Sequence, residues 1–223
     1  MPRPRGNKRA TPPPGLLRSL LLLTLALSLA SCVGLDATAR IGADGSGSLD
    51  IAYAVPRMLS PIASIDPSRS TIPFPLSQAD FEAAVAAIEG LRLESLDFEE
   101  SVDELRVRAR IAFPRPAALT AFLDPAGARA IYSEAGGTRT IRLALTEGTS
   151  KAAELADPDV ARLAATAFAG YSISIAIELP SRVLSSKLSS GEGVRVAGTR
   201  TVFQQATTAL IQSAQPMIWE IQW

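Results

Sequence analysis

Hydrophobic and polar residues alternate along much of the chain after residue 34, which is the pattern of strands that bury one face. The first two predicted strands place eight residues on such a face: Leu35, Ala37, Ala39, Ile41, Leu49, Ile51, Tyr53 and Val55. The segment between them, ADGSGS at 43–48, predicts a hairpin turn, because Asp and Gly supply the positive φ angles that tight turns need. We therefore expect an antiparallel pair of strands at the start of the domain.

A second pair of strands is predicted at 91–99 and 104–113, and the alternation is strict in the second strand. Three arginines lie on its polar face: Arg106, Arg108 and Arg110. We expect them to pair across the hairpin with carboxylates of the other strand, which are Glu94, Asp97 and Glu99. Binding of anionic headgroups or phosphate by the three arginines is the alternative.

Helical signals separate these strands. Ser77 can cap a helix, with Asp80 three residues on and Gly90 as its stop, and shorter patterns follow at 116–123 and 157–168. Further strands are predicted at 128–133, 138–146, 171–179, 194–197, 201–205 and 216–223. The recurring order of two strands and a helix predicts an α+β fold, a single domain with a mainly antiparallel sheet and about three helices.

Residues 56–75 interrupt the pattern with five prolines and predict a long loop. Its apolar residues are Met58, Leu59, Ile62, Ile65, Ile72 and Phe74. Three interpretations stay open at this point: packing over the sheet edge, a lid over an apolar cavity, or a surface that enters lipid.

The first 31 residues have the pattern of a signal peptide. A basic head is followed by an apolar run, Leu20 to Ala30, that is shorter than the roughly 20 residues of a membrane span. Leu29, Ala30 and Ser31 then precede Cys32, the only cysteine of the chain, as in a bacterial lipobox. We expect signal peptidase to recognise these three residues, cleavage before Cys32, and diacylglyceryl attachment to its thiol, leaving 32–223 as one lipid-anchored domain.

The position after the anchor favours the outer membrane, because Val33 stands where an Asp would direct retention in the inner membrane in enteric-type sorting. Removal of residues 1–31 takes away five of the 22 basic residues and none of the 22 acidic ones, which leaves a net charge of −5. This charge argues against nucleic acid as a partner. The membrane is the partner that the sequence predicts.

Catalytic chemistry has little support in the sequence. The chain has no histidine, and lipidation would consume its one thiol, so we expect no enzyme, no cofactor and no metal site. A calcium loop would use side chains at odd spacing, as here Asp44, Ser46, Ser48 and Asp50. An EF-hand, however, has Gly and Glu where this chain has Leu49 and Val55. A cluster of four carboxylates, expected at a solvated hairpin tip, is the remaining candidate: Glu99, Glu100, Asp103 and Glu104.

The chain resembles LppM-like or DUF3153-type bacterial lipoproteins in four features. They are the LASC motif, the immediate entry into a strand, the DGSGS turn and a final strand with Trp219 and Trp223. This resemblance implies a lipid-anchored α+β domain in the cell envelope, without established catalytic residues, that binds lipid-like ligands.

Three functions follow from these observations. The first is a non-enzymatic envelope lipoprotein that binds an apolar ligand or a protein partner near the membrane. The second is a structural scaffold of an envelope complex, and the third a hydrolase that uses Ser or carboxylates. A cavity between helices and sheet, opening under 56–75, would favour the first function over the second.

Overall fold

A computed structural model of the chain describes residues 33–57, 75, 77–146, 162, 166 and 168–223. Eleven strands and three helices have described bounds. In chain order they are β1 (Val33–Ile41), β2 (Gly47–Pro56), α1 (Gln78–Ala86), β3 (Arg92–Glu100), β4 (Glu104–Phe113), α2 (Pro116–Leu123), β5 (Ala130–Ala135), β6 (Thr138–Thr146), β7 (Ser172–Glu178), β8 (Ser185–Leu188), β9 (Val194–Ala197), β10 (Arg200–Ala206), α3 (Thr207–Ile211) and β11 (Met217–Gln222).

The strands form two sheets. One has seven strands in the order β3-β4-β2-β1-β7-β10-β9, and the other has four in the order β5-β6-β11-β8. β1 lies in the middle of the larger sheet, antiparallel to β2 and parallel to β7. The other pairs are antiparallel, including the predicted hairpins β1–β2 and β3–β4.

Alternation of side chains explains how the two sheets meet. The alternating apolar residues of β1, β2 and β4 are all buried, and so are Met217, Trp219 and Ile221 of β11 in the smaller sheet. The rings of Phe203 in β10 and Trp219 in β11 lie 6.0 Å apart, which brings the inner faces of the two sheets together. Each sheet thus covers the apolar face of the other.

The predicted fold class is wrong. Over its described residues the protein is mostly β, with two packed sheets and three short helices of described bounds, rather than an α+β fold built on one main sheet. The order of strands and helices along the chain matched local patterns, but those patterns do not say which hairpins share a sheet. The described helices are only five to nine residues long, and the second sheet packs on the inner face of the first.

Local predictions for the helices fare better. Ser77 caps α1, since its hydroxyl accepts the Asp80 N–H at 3.2 Å and donates to the Asp80 carboxylate at 2.6 Å. α1 ends at Ala86, earlier than predicted, and the chain then turns to Gly90, whose φ of 82° is left-handed. Helix α2 has the predicted bounds. The predicted loop at 56–75 and the helix at 157–168 fall for the most part outside the described residues, as does the domain boundary at residue 32.

A chain of buried hydrogen bonds links the sheets. The indole N–H of Trp219 in β11 donates to the Ser186 hydroxyl of β8 at 2.9 Å, and the Ser186 and Thr201 hydroxyls lie 2.8 Å apart. Trp219 and Thr201 are both 0% exposed. Because a buried indole N–H without a partner is costly, this chain fixes how β8 and β10 face each other.

We expect Ser186→Ala to lower the free energy of unfolding by about 1–3 kcal/mol, because it leaves the buried Trp219 indole N–H unpaired. Ser185→Ala is the matched control, since successive side chains of a strand point to opposite faces, and it should change stability by less than about 0.5 kcal/mol. Urea unfolding followed by tryptophan fluorescence measures both variants. Equal losses in the two would contradict a specific role for the Ser186 hydroxyl.

Candidate functional site

An apolar cavity of about 60 Å³ lies between the two sheets and α2. Its walls come from β1, β2 and β7 of the larger sheet, from β6 of the smaller sheet and from α2. The lining residues are Leu35, Ala37, Ala39, Leu49, Ile51, Leu119, Thr120, Leu123, Ile141, Leu143, Ile175 and Ile177.

Two alanines of the central strand account for the cavity. Ala37 lies opposite Ile51 of β2 and Ile175 of β7, and Ala39 lies between Leu49 and Ile177 in the same way. A row of large side chains is therefore broken twice in the middle of the sheet. Interiors are close-packed elsewhere, so a missing side chain in such a row leaves a gap unless the facing layer fills it. Ile141 and Leu143 of the smaller sheet face this gap and leave part of it empty.

The lining offers contacts by dispersion and no free polar group. Thr120 is its one polar residue, and its hydroxyl donates to the Ala117 carbonyl at 3.1 Å, which leaves its methyl group for the cavity. No titratable side chain lines the cavity among the described residues. Apolar cavities of this kind are dry and accept apolar guests.

Size limits what the cavity can hold. Ligand pockets usually measure about 300–1,000 Å³, and 60 Å³ is far below that range. A space of this size takes only a short aliphatic group. A longer apolar chain requires one wall to move, and α2 is the wall that is not part of a sheet.

Asp124 fixes the end of α2. Its backbone N–H donates to the Thr120 carbonyl, and its carboxylate accepts backbone N–H groups from the loop that leads to β5, including those of Ala126 at 3.3 Å, Arg129, and Ala130 at 3.2 Å. Partial burial acts to raise the pKa of the Asp124 carboxyl, but the donors at Arg129, Ala130, Ala126 and Ala128 outweigh it and hold the pKa below its usual value. The ionised form therefore secures the cavity wall.

The carboxylate of Asp124 should stabilise the fold in a pH-dependent way. Because its pKa is lower folded than unfolded, its contribution is complete above the unfolded value of about 3.9 and is lost as pH falls through the folded pKa. We expect Asp124→Asn to lower the free energy of unfolding by about 1 kcal/mol at pH 7, with the difference from the original chain closing in acid. Denaturation at several pH values tests this, with the exposed Glu89→Gln as control. A difference that does not change with pH would contradict the assignment.

The arginines on the outer face of the larger sheet mostly pair as predicted. Arg108 approaches Asp97 and Glu99 at 3.5 and 3.8 Å, and Arg110 approaches Glu94 at 3.1 Å. Arg106 differs, because it pairs with Glu104 of its own strand. All three arginines therefore pair with carboxylates of the protein, which does not favour the alternative that they bind headgroups or phosphate.

A row of alternating charges extends this pairing across six strands. In strand order its members are Glu94, Arg110, Asp50, Arg40, Glu178 and Arg200. The nitrogen–oxygen distances are 3.7 Å for Arg110–Asp50, 3.3 Å for Arg40–Glu178 and 3.7 Å for Arg200–Glu178. Exposed pairs contribute about 0–1 kcal/mol each, so the row chiefly makes the outer face electrically balanced.

The other candidate residues are dispersed. Asp44 accepts the Ser46 N–H at 3.0 Å and hydroxyl at 2.8 Å, which lower the pKa of Asp44 and hold the turn. Three or more metal-ligating side chains do not come together anywhere in the described part of the chain. Leu29, Ala30, Ser31 and Cys32 lie outside the described residues, and β1 begins at the next residue.

Three of the four carboxylates at the β3–β4 turn are exposed, as predicted, and Glu104 is the exception. Glu100 pairs with Arg57, and the side chain of Glu104 is only 14% exposed. Glu104 also accepts the Tyr171 hydroxyl at 3.0 Å. These contacts hold the turn, and none of the four carboxylates lines the cavity.

The cavity itself was not predicted at this place. Its signal in the sequence is weak: two alanines stand at successive inward positions of the first strand, Ala37 and Ala39, where the neighbouring strands β2 and β7 have Leu or Ile. Their meaning depends on β7 and β6, which local patterns do not assign as neighbours. None of the helices with described bounds has the length and hydropathy of a membrane span.

Comparison with models of protein families finds no match for this chain, and comparison with curated proteins finds none. Among solved structures, the chain is similar to the folded domain of LppM from Mycobacterium tuberculosis, determined by NMR, with a TM-score of 0.42 and 16% identity. The likeness covers 86% of this chain and 92% of that chain. The resemblance to DUF3153-type proteins and the lipoprotein class stay predictions.

Proposed function

We propose that this protein is a non-enzymatic lipoprotein of the bacterial cell envelope that binds an apolar chain between its two sheets. The observation that carries the proposal is the apolar cavity, whose one polar residue has its hydroxyl bonded to backbone. Such a lining recognises aliphatic groups and offers nothing to activate a bond. An acyl chain of a membrane lipid is the ligand of this chemistry that a membrane-anchored protein meets most often.

The lipid anchor is proposed from the sequence. Leu29, Ala30 and Ser31 precede Cys32 after a basic head and an apolar run. The start of β1 at Val33 supports the proposal in one respect, because it leaves no linker between the anchor and the domain. The cavity then lies along the strand that carries the anchor. Placement in the outer membrane, favoured by Val33 after Cys32, belongs to the same proposal.

The small volume of the cavity favours a second candidate, the structural scaffold of an envelope complex. A space of 60 Å³ holds only part of an acyl chain unless α2 moves. Binding of an apolar probe separates the two candidates, because a scaffold with a closed core should take up none. The hydrolase alternative gains no support from the residues that line the cavity.

Filling the cavity should weaken binding of an acyl chain. Ala39→Val adds two methyl groups to the cavity wall, and at about 0.8 kcal/mol per displaced methylene this predicts roughly tenfold weaker binding. The probe is cis-parinaric acid, a fatty acid whose fluorescence rises in apolar surroundings. Titration of the detergent-purified protein measures its affinity.

Ala109→Val is the matched control, because Ala109 is buried on β4, faces the same way and does not line the cavity. It should lower stability by about 1–3 kcal/mol through overpacking and leave probe affinity unchanged. Equal weakening in both variants would point to a general effect on the core. No binding by the original chain would favour the scaffold.

Anchoring depends on the sulfur of Cys32. We expect mass spectrometry of the mature protein to find a diacylglyceryl group on Cys32 and no residues ahead of it. Cys32→Ser should abolish this modification and move the protein out of the membrane fraction, since stable attachment needs at least two acyl chains. Normal processing and unchanged fractionation of this variant would overturn the proposed anchor.

A further inference from the structure

The tip of the β3–β4 hairpin carries an exposed valine. Val102 is 90% exposed, the highest value among the large apolar residues of the described chain. The turn is well ordered by hydrogen bonds, because the Ser101 hydroxyl accepts the N–H groups of Asp103 and Glu104 at 3.3 and 3.1 Å, and the Ser101 N–H donates to the Glu104 carbonyl at 2.9 Å. The exposure of Val102 is therefore a feature of the fold.

The registers of the strands place this tip beyond the start of β1. Leu35 lies opposite Tyr53, and Tyr53 lies opposite Val107, so these residues form one row across the sheet. From this row, Val33 is two residues back along β1, Glu104 is three residues back at the start of β4, and Val102 lies in the turn ahead of Glu104. At about 3.3 Å per strand residue, β4 begins about 3 Å farther out than Val33, and the turn that carries Val102 extends beyond the start of β4.

The hairpin tip also lies close to the start of β1 in the direction across the strands. β2 alone separates β4 from β1, which corresponds to about 10 Å at the usual strand spacing. The Arg57 N–H donates to the Asp103 carbonyl at 2.8 Å, which ties the tip to the end of β2. The tip and the residue that follows Cys32 therefore share one end of the seven-stranded sheet.

Most charges around the tip are compensated. Glu100 pairs with Arg57, and Glu104 pairs with Arg106 while it accepts the Tyr171 hydroxyl. Among the described residues, Asp103 is the carboxylate next to Val102 for which no ion pair is found. Paired charges of this kind are compatible with the zwitterionic headgroup region, and the apolar side chain extends past them.

We propose that Val102 enters the interfacial region of the bilayer beside the acylated Cys32, so that this end of the seven-stranded sheet contacts the membrane. The inference rests on the proposed lipid anchor. The acyl chains supply the affinity, and the valine supplies a second contact about 10 Å to the side. Two contacts restrict how the domain tilts on the membrane, which one anchor cannot do.

The single cysteine of the chain makes the test direct. If Cys32 is a thioether, Val102→Cys carries the only reactive thiol of the mature lipoprotein, which can be labelled with monobromobimane. The labelled protein is reconstituted in phosphatidylcholine and phosphatidylethanolamine vesicles with nitroxide lipids. We expect bimane at 102 to be quenched several-fold more by the nitroxide lipids, and several-fold less by aqueous iodide, than bimane at a control site.

Leu184→Cys is the matched control. Leu184 is 69% exposed. The N–H of the preceding residue, Val183, donates to the carbonyl of Gly198, which lies two residues before Arg200. Arg200 is paired in register with Glu178, and Glu178 is paired with Arg40 of β1. Arg40 is seven residues along β1 from Val33, about 23 Å away, so the control lies at the opposite end of the domain. It should be open to iodide and protected from the nitroxide lipids.

Two failures are distinguishable. If the variants bind vesicles and carry the acyl groups, but bimane at 102 is quenched by iodide as strongly as at 184, the membrane contact is overturned and the lipid anchor stands. If the unsubstituted mature protein itself reacts with monobromobimane, Cys32 is a free thiol, and both the anchor and the membrane contact are overturned.

Discussion

Mutual burial of two apolar sheet faces is the constraint on which the rest of the structure depends. The three helices with described bounds are five to nine residues long, and the four-stranded sheet packs on the inner face of the seven-stranded sheet. Trp219 and Phe203 meet at the centre of this contact and are both fully buried. Loss of contact between the sheets would expose much of the core at once, because most of its large described residues belong to strands. The hydroxyls of Ser186 and Thr201 add direction to an attraction that has none of its own.

The same constraint produces the cavity. The side chains of two packed sheets fill the space between them only if each inward position has a large enough side chain. The side chains of Ala37 and Ala39 are too small to do so. Larger residues there would give a tighter core, and Leu or Val is well suited to a strand. The apolar void and the balanced charges of the outer face therefore divide the domain into an inside that favours aliphatic groups and an outside that favours water.

Much of the local structure could be predicted, and the global arrangement could not. Alternation of apolar and polar residues identified the β1–β2 and β3–β4 hairpins, and Ser77 with Asp80 identified the start of α1. These signals involve neighbours in sequence. The parallel pairing of Leu35 with Ile173 and the placement of β6 and β11 in a second sheet join residues far apart in the chain, and no local pattern encodes them. β8 was missed because SSKL has neither alternation of hydrophobicity nor β-branched residues.

The position of β1 has a mechanical consequence. Force applied through the residues ahead of Val33 acts along the axis of a strand that is hydrogen-bonded on both sides, to β2 and to β7. Such a load shears many hydrogen bonds together, whereas a pull at right angles on an edge strand opens them one after another. A domain held at this point resists extraction far better than one held through β9 or β5 at the sheet margins, so drag from its surroundings would be borne by the most strongly supported strand.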